Sequence, residues 1–414
     1  MNKRDFLRAA GSASVGLTLA DTRALFARHA LAPPAELAKD EAFWASIRAK
    51  YRLKPDYINL ENGYYCMQPQ EVLEAFLERV REVNTEASYY MRTRQVEDKL
   101  RARKRLAALA GCSHEELIIT RNTTESLDTV IAGFDWKAGD EAVMAAQDYG
   151  AMLDMFALQA RRHGLVNKLV SLALDPESDE EIVRLYADAI TPQTRLLMVC
   201  HMVNITGQIL PVRKIADMAH GKGVLVMVDG AHAFAHIDFR IPDLHCDFYG
   251  TSLHKWLGAN LGAGALYVRA DKIFELWPLY GDRSFADTDI GKLNHTGTHP
   301  VHTDLAIMNA IDFHESIGIG RKEARLRYLQ NYWTTRVRGT PNIVLNTPTD
   351  PRRSCAIANV GVGTMRPKDL AQALLQEYKV WTVAIDCAWQ VWRSSPWRSR
   401  CSSRRARIAS TTTS

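Results

Sequence analysis

Strand-type and helix-type segments alternate through the middle of the chain. Short apolar runs occur at residues 117–120, 141–145, 168–172, 194–199, 224–228, 246–250 and 264–268. Segments with helical periodicity lie between several of them, at residues 124–132, 179–189 and 211–221. This alternation predicts an α/β fold with a mostly parallel sheet that helices cover on both faces. Such sheets bind their ligands at the carboxyl ends of the strands, so we look for chemistry there.

Regular patterns continue on both sides of this region. Apolar spacing predicts helices at residues 69–84, 88–109 and 367–378, and strands at 356–360 and 381–385. A chain of 414 residues is longer than a typical single domain, so we expect a large core domain and a smaller second one.

The net charge of +5 comes from the two ends of the chain. Residues 1–32 contribute +3 and residues 387–414 contribute +6, which leaves −4 for the body, because 5 − 3 − 6 = −4. A mildly acidic body does not attract nucleic acid, so we expect no such partner. No apolar run approaches the roughly 18–20 residues that span a bilayer, and we expect no membrane-embedded segment.

The seven cysteines are scattered, without a C-x-x-C pair. This spacing indicates neither a zinc site nor a disulfide framework, and we predict no metal. Cys200 lies in an apolar strand pattern, where we expect an inert core residue. An odd number of cysteines and a large core favour folding in a reducing compartment.

The first 32 residues resemble a twin-arginine export signal. Lys3-Arg4 stands where such signals have two arginines, and a weakly apolar stretch follows at residues 9–20. Cleavage is expected near Ala27 or Ala32. Such a signal predicts export to the periplasm after folding in the cytoplasm. The alternative is an amphipathic N-terminal helix on a protein that stays in the cytoplasm.

Residues 387–414 differ from the rest of the chain. They contain six arginines, seven serines, three tryptophans and no acidic residue. No helix or strand periodicity runs through them, and the regular pattern stops abruptly at Cys387. Our hypothesis is that a reading-frame shift replaced the original terminus. A natural, disordered basic tail is the alternative.

A carboxylate and an amine follow two predicted strands. Asp229 comes directly after the strand at 224–228, and Lys255 follows the strand at 246–250. If the two strands are neighbours, both side chains project into one crevice. Pyridoxal phosphate (PLP) needs such a pair, because an amine forms the Schiff base and a carboxylate keeps the pyridine nitrogen protonated. A structural ion pair at the sheet end is the alternative reading.

Residues around this pair favour the cofactor. Asn122-Thr123-Thr124-Glu125 joins a strand to a helix, where backbone N–H groups and hydroxyls bind phosphate. The same segment fits an ordinary helix cap. Further candidates at this sheet end are phosphate donors, a ring-stacking aromatic and two polar residues, namely Ser252, His254, Tyr149, Asn204 and His232. Tyr149, Asn204 and His232 are also compatible with structural roles.

Two segments together resemble a known family. Val228-Asp229-Gly230-Ala231-His232 and Asp247-Phe248-Tyr249-Gly250-Thr251-Ser252-Leu253-His254-Lys255 resemble the signature of class V aminotransferases. The resemblance runs from about residue 57 to 385 and is strongest with the isopenicillin N epimerase-like branch. It implies the fold of fold-type I PLP-dependent transferases, with a mostly parallel seven-stranded sheet. It also implies an N-terminal segment at 33–75 that lines the site, a PLP-binding domain at 76–300 and an incomplete small domain at 301–386.

The resemblance also implies roles for single residues. Lys255 would form the Schiff base and move the substrate's α proton, and Asp229 would pair with the pyridine nitrogen. Tyr149 would stack on the ring, while His232 would bond the phenolic oxygen with Asn204 nearby. The phosphate would be held by Thr123, Thr124, Ser252 and His254. Thr298 would reach a phosphate in a partner subunit, which implies a homodimer, and the substrate pocket would include Asn62, Gly63 and Tyr64.

Two departures from the family pattern bear on activity. Desulfurases use a cysteine on a mobile loop, whereas Cys355 begins a predicted strand and is expected to pack. Relatives bind the substrate carboxylate with an arginine near the chain end, but the residues after Arg393 do not continue that pattern. A guanidinium clamp is hard to replace, so substrate binding is in doubt.

We therefore predict a PLP enzyme that removes the α proton of an amino acid or an amino-acid-containing substrate. The resemblance favours epimerisation or transamination. Alternatives are a PLP-binding remnant without activity and a PLP-dependent lyase or desulfurase. A binding protein without PLP is a further alternative.

Overall fold

The computed structural model describes residues 32–385, so the predicted leader (except for its last residue) and the tail at 387–414 lie outside the described residues. The helices are α1 (Pro34–Leu37), α2 (Glu41–Arg48), α3 (Gln70–Glu86), α4 (Ser88–Thr93), α5 (Gln95–Ala110), α6 (Thr123–Gly133), α7 (Gly150–His163), α8 (Asp179–Ala189), α9 (Val212–His220), α10 (Val301–Ile317), α11 (Ile319–Val337) and α12 (Pro367–Tyr378). The strands are β1 (Ile58–Asn59), β2 (Leu117–Thr120), β3 (Glu141–Ala145), β4 (Val166–Val170), β5 (Thr194–Cys200), β6 (Leu225–Asp229), β7 (Phe248–Ser252), β8 (Gly264–Val268), β9 (Ile343–Leu345), β10 (Val360–Val362) and β11 (Val380–Trp381).

Seven strands form the central sheet in the order β2-β8-β7-β6-β5-β3-β4. The pairs from β7 through β6, β5 and β3 to β4 are parallel, and β8 runs antiparallel to both β2 and β7. The mostly parallel, seven-stranded α/β sheet predicted from the sequence is therefore confirmed.

Alternate residues of the central strands enter two separate cores. Val226 and Val228 of β6 pack in one apolar cluster, whereas Met227 between them packs in the other. Because side chains alternate across a strand, these clusters lie on opposite faces of the sheet. Burial on both faces explains why the strands are continuously apolar.

The helix predicted at 88–109 is wrong in one respect, because two helices occupy this region. Helix α3 ends at Glu86, because the next residue, Ala87, has a φ of 49° in the left-handed region, and α4 ends at Thr93. The hydroxyl of Tyr90 donates a hydrogen bond to Asp98 at 2.8 Å, and both side chains are buried. This bond ties α4 against the start of α5.

The strands predicted near the C-terminal end differ from those observed. Strand β10 is shifted from the predicted 356–360 and pairs antiparallel with β9. Strand β11 has only two residues and pairs parallel with β1, so it joins the N-terminal segment. Within residues 32–385, no helix is both long and apolar enough to cross a membrane. The domain boundaries stay a prediction.

Candidate active site

The carboxyl ends of β5, β6 and β7 surround one cavity of about 290 Å³. Cys200 at the end of β5 lies in register with Asp229 at the end of β6, and Asp229 is in register with Gly250 of β7. Ten of the thirteen site residues predicted from the sequence line this cavity, namely Tyr64, Thr123, Thr124, Tyr149, Asn204, Asp229, His232, Ser252, His254 and Lys255. The sheet topology thus brings together residues up to 191 positions apart, because 255 − 64 = 191.

Asp229 is a buried carboxylate in this cavity. Only 3% of the residue is exposed, and its Oδ1 accepts a hydrogen bond from the backbone N–H of Ala231 at 3.0 Å. Burial raises the pKa of Asp229, while that backbone bond and the nearby Lys255 act in the opposite direction. A buried carboxylate is stable when a cationic group is beside it.

Lys255 presents its amine to the same cavity. Its Nζ lies 2.9 Å from Nε2 of His232. Burial lowers the pKa of Lys255, and the negative charge of Asp229 acts in the opposite direction. Burial likewise lowers the pKa of His232, so its ring is neutral. A lysine amine with a lowered pKa is a nucleophile toward carbonyl carbon.

The N-terminus of α6 and the end of β7 form a hydroxyl-rich corner. Oγ of Ser252 accepts from the backbone N–H of Thr123 at 2.9 Å and lies 2.7 Å from its Oγ1. Asn122 caps the helix by accepting from the N–H of Glu125 at 2.9 Å. Helix N-termini with free hydroxyls favour phosphate oxygens.

Gly264 allows this corner to form. A Cβ at this position would lie 2.6 Å from the backbone N and Cα of Asn122, a distance that real side chains do not tolerate. Gly258 and Gly262 have left-handed φ values, whereas Gly264 begins β8 and allows close packing.

His254 is oriented by the loop behind Lys255. The carbonyl of Ala263 accepts from its Nδ1 at 3.2 Å, and burial lowers the pKa of the His254 ring. The neutral ring then carries a lone pair on Nε2. Protonation of the ring is therefore needed before His254 can donate to a phosphate.

Three predicted site residues do not line the cavity. Gly63 lies behind it, since a Cβ there would be 3.2 Å from Cε1 of His232. Oδ1 of Asn62 accepts from the side-chain amide of Asn59 at 3.3 Å, so it stabilises the N-terminal segment. Thr298 is exposed on the loop before α10. Its contact with a partner subunit stays a prediction.

Several residues that line the cavity were missed by the sequence analysis. Arg121 was one, and both of its nitrogens Nε and Nη2 donate to Glu125 at 3.0 Å. Cys200 was assigned to the core; it is buried but also lines the cavity, and burial raises the pKa of its thiol. Its position at the carboxyl end of β5 could have predicted that it lines the cavity.

Asp148 is a second buried carboxyl near Asp229. Its Oδ2 accepts from the backbone N–H of Ala145 at 2.7 Å, whereas its Oδ1 has no hydrogen-bond partner among residues 32–385. Burial raises the pKa of Asp148 well above its usual range, and the charge of Asp229 adds to the rise. The sequence analysis missed this residue.

We expect the stability of Asp148→Asn, relative to that of the parent, to increase as pH rises. The folded state keeps the Asp148 carboxyl protonated, whereas the unfolded state loses that proton above pH 3.8. The free energy of unfolding is therefore unaffected by this group below pH 3.8. It falls as pH rises from there toward the pKa of the folded state, by at most about 1.4 kcal/mol per pH unit. Asparagine keeps an acceptor for Ala145 and does not titrate.

Urea unfolding at about pH 4 and about pH 7 measures this difference. Asp243→Asn, an exposed change, is the matched control. If the free energies of unfolding of Asp148→Asn and the parent differ by the same amount at both pH values, the Asp148 carboxyl is not neutral in the folded state.

The sequence of residues 61–385 matches the family model described as aminotransferase class-V. The chain belongs to the class V aminotransferase family. It is 32% identical to isopenicillin N epimerase of Amycolatopsis lactamdurans, over 76% of this chain and 83% of the relative. A probable cysteine desulfurase of Halobacterium salinarum is 28% identical, over 78% of this chain and 81% of the relative.

Solved structures agree on the fold. Apo cysteine desulfurase from Thermococcus onnurineus superposes with a TM-score of 0.74 at 23% identity, covering 84% of this chain and 90% of that one. A structure of the lyase C-DES with glycine covalently linked to its PLP cofactor has a TM-score of 0.71 at 20% identity, covering 80% and 89%. This class V protein has the fold of fold-type I PLP enzymes, and its cofactor is PLP.

The residues at the cavity fit PLP. A lysine amine, a buried carboxylate and a hydroxyl-rich helix N-terminus match the aldehyde, the pyridine nitrogen and the phosphate of that molecule. Tyr149, at the start of α7, adds an aromatic ring that is 42% exposed. Each chemical group of the cofactor therefore has a complementary side chain.

Proposed function

We propose that this class V enzyme is isopenicillin N epimerase-like and acts at the α carbon of an amino acid or an amino-acid-containing substrate. PLP supplies an aldehyde that joins the substrate amine and a ring that accepts electrons. Lys255 holds the cofactor and then moves the α proton as general base and acid. Asp229 keeps the pyridine nitrogen protonated. The observation that carries the proposal is the burial of Lys255 and Asp229 in one cavity.

The remaining site residues have supporting roles in this proposal. Tyr149 would stack on the ring, and His232 and Asn204 would lie beside its phenolic oxygen. Thr123, Thr124, Ser252 and, when protonated, His254 would hold the phosphate. Asn62, Gly63 and Tyr64 belong to the segment that closes the substrate side. The roles of these three residues are supported by the packing of their segment on His232, which contacts Lys255.

Epimerisation is favoured over desulfuration by the place of Cys355. This cysteine is fully buried and packs with Met202, Ala233 and Ile237. Burial raises the pKa of its thiol to about 12, which leaves it protonated. A desulfurase needs an accessible thiolate that attacks the substrate sulfur. The side chain of Cys355 is not accessible, and it is a thiol. Transamination is the second candidate, because it begins with the same α-proton removal.

Proton exchange at the α carbon tests the proposal. In deuterium oxide, the purified holoenzyme is incubated with L- and D-amino acids and with small amino-acid-containing peptides. We expect deuterium at the α carbon and inversion of configuration for at least one substrate, without release of a keto acid. Keto acid release indicates the aminotransferase instead, and sulfide release from cysteine indicates a desulfurase. Cofactor binding without any exchange contradicts the proposal and identifies a non-catalytic PLP protein.

We also propose a homodimer. Two large apolar side chains that line the cavity are exposed, namely Tyr64 at 81% and Leu261 at 57%. Exposed apolar groups of this kind favour a protein partner, and Thr298 is exposed where a second subunit can use it. Light scattering of the purified protein tests this, since a monomer at all accessible concentrations excludes it.

A further inference from the structure

Trp256 contacts His232, whose ring in turn contacts Lys255. Its indole Nε1 lies 3.4 Å from Nδ1 of His232. An indole N–H donates and never accepts, so Nδ1 of His232 is the acceptor of this bond. Among the residues of the site, Trp256 thus determines which nitrogen of His232 carries the lone pair.

The other nitrogen of His232 then carries the proton. Burial lowers the pKa of His232, so the ring has a single proton, which lies on Nε2. Nε2 is 2.9 Å from Nζ of Lys255, and it donates to that nitrogen whenever the amine is uncharged. The opposite tautomer would place two N–H groups, those of Trp256 and His232, against each other.

Two further contacts fix the position of Trp256. Its indole stacks on the ring of His236, with the ring centroids 3.6 Å apart and an interplanar angle of 27°. His236 is itself anchored, because the carbonyl of His232 accepts from its Nδ1 at 2.7 Å. The ammonium of Lys322 donates to the carbonyl of Trp256. Burial lowers the pKa of His236 to about 3, so the stacked ring stays neutral near pH 7.

We propose that Trp256 is a positioning residue that holds His232 as its Nε2–H tautomer, so that His232 would donate a hydrogen bond to the phenolic oxygen of PLP. This inference rests on the proposed function, which places that oxygen beside His232. A donor at this oxygen stabilises its negative charge, and it does so most when the linked Lys255 nitrogen is uncharged. The tautomer therefore lowers the pKa of the nitrogen that joins Lys255 to the cofactor.

Trp256→Phe removes the N–H and keeps an aromatic ring to stack on His236. Without the indole donor, His232 is free to place its proton on Nδ1 and face the cofactor with a lone pair. We expect the pKa of the lysine–cofactor linkage, followed by visible absorption, to rise by about 0.5–1 unit. A pKa shift of this size corresponds to the net free energy of one neutral hydrogen bond. The groups that face His232 and Lys255, namely His236, Asp229, Cys200 and Glu61, are unchanged by the substitution.

The control is Trp136→Phe, which removes an indole N–H that donates to the carbonyl of Ile131 at 2.7 Å, away from the cavity. This variant tests for general loss of stability and leaves the linkage pKa at its parental value. A second background, His232→Leu, has neither a donor nor an acceptor in place of the imidazole. In that background, Trp256→Phe shifts the linkage pKa little or not at all if Trp256 acts through His232.

Histidine ¹⁵N NMR of the cofactor-free protein gives an independent readout. The signal that disappears in His232→Leu belongs to His232, and we expect its Nε2–H form in the parent and the Nδ1–H form at raised population in Trp256→Phe. An Nδ1–H tautomer in the parent, or an equal pKa shift with and without His232, overturns the proposal. A parent that takes up no PLP refutes the proposed function instead, which keeps the two failures distinguishable.

Discussion

Lys255→Ala is expected to abolish α-proton exchange. The substitution removes the amine that holds the cofactor and the group that moves the proton, while the sheet around it stays packed. Loss of a general base alone costs on the order of 10²–10⁴-fold in rate, and loss of the covalent link adds to that. The variant still binds PLP through the hydroxyl-rich corner at Thr123 and Ser252, but without a covalent bond.

Exchange of the α hydrogen in deuterium oxide, compared at equal cofactor occupancy, measures this effect. Lys222→Ala is the matched control, because Lys222 is exposed just before β6, at the opposite end of that strand from the cavity. The control retains the parental rate. Retention of more than about a tenth of the parental rate in Lys255→Ala contradicts the assigned role.

Asp229→Asn has the second largest expected effect. Asparagine retains an oxygen for the N–H of Ala231 but loses the negative charge that keeps the pyridine nitrogen protonated. Loss of one partner from a buried charge pair costs about 3–5 kcal/mol, which is about 10²–10⁴-fold in the rate of α-proton exchange. PLP binding weakens, but the covalent link to Lys255 still forms.

Two measurements separate chemistry from folding in this variant. The rate of α-proton exchange at saturating PLP reports the electron-withdrawing role, and thermal unfolding of the cofactor-free protein reports stability. Burial raises the pKa of Asp229, so removal of its charge leaves the cofactor-free fold at least as stable. Asp188→Asn, an exposed change on α8, is the control. Parental exchange in Asp229→Asn contradicts the pairing with the pyridine nitrogen.

The sequence was most informative where one physical rule dominates. Burial on both faces makes the strands around Val226 and Phe248 continuously apolar, so their positions and the sheet end with Asp229 and Lys255 were predictable. Helix α10 was not predicted, because it is buried on several sides and lacks a polar face. The break between α3 and α4 depends on a left-handed Ala87, which no local pattern announces.

Contacts between distant segments also escaped the sequence analysis. Trp256 was an unremarked neighbour of Lys255, and its role depends on the packing of His236 and Lys322 against it. The need for glycine at position 264 was not predicted, because its contact with Asn122 crosses 142 positions, 264 − 122. Such residues are recognised only when the fold has placed their partners.

Borohydride reduction of the holoenzyme tests the central claim most directly, since it fixes PLP permanently to the amine that holds it. After digestion, mass spectrometry locates the phosphopyridoxyl group on a single peptide. We predict the modification on the peptide that contains Lys255 and its loss in Lys255→Ala. Modification of a different lysine, such as the buried Lys292, or of none, contradicts the account of this site.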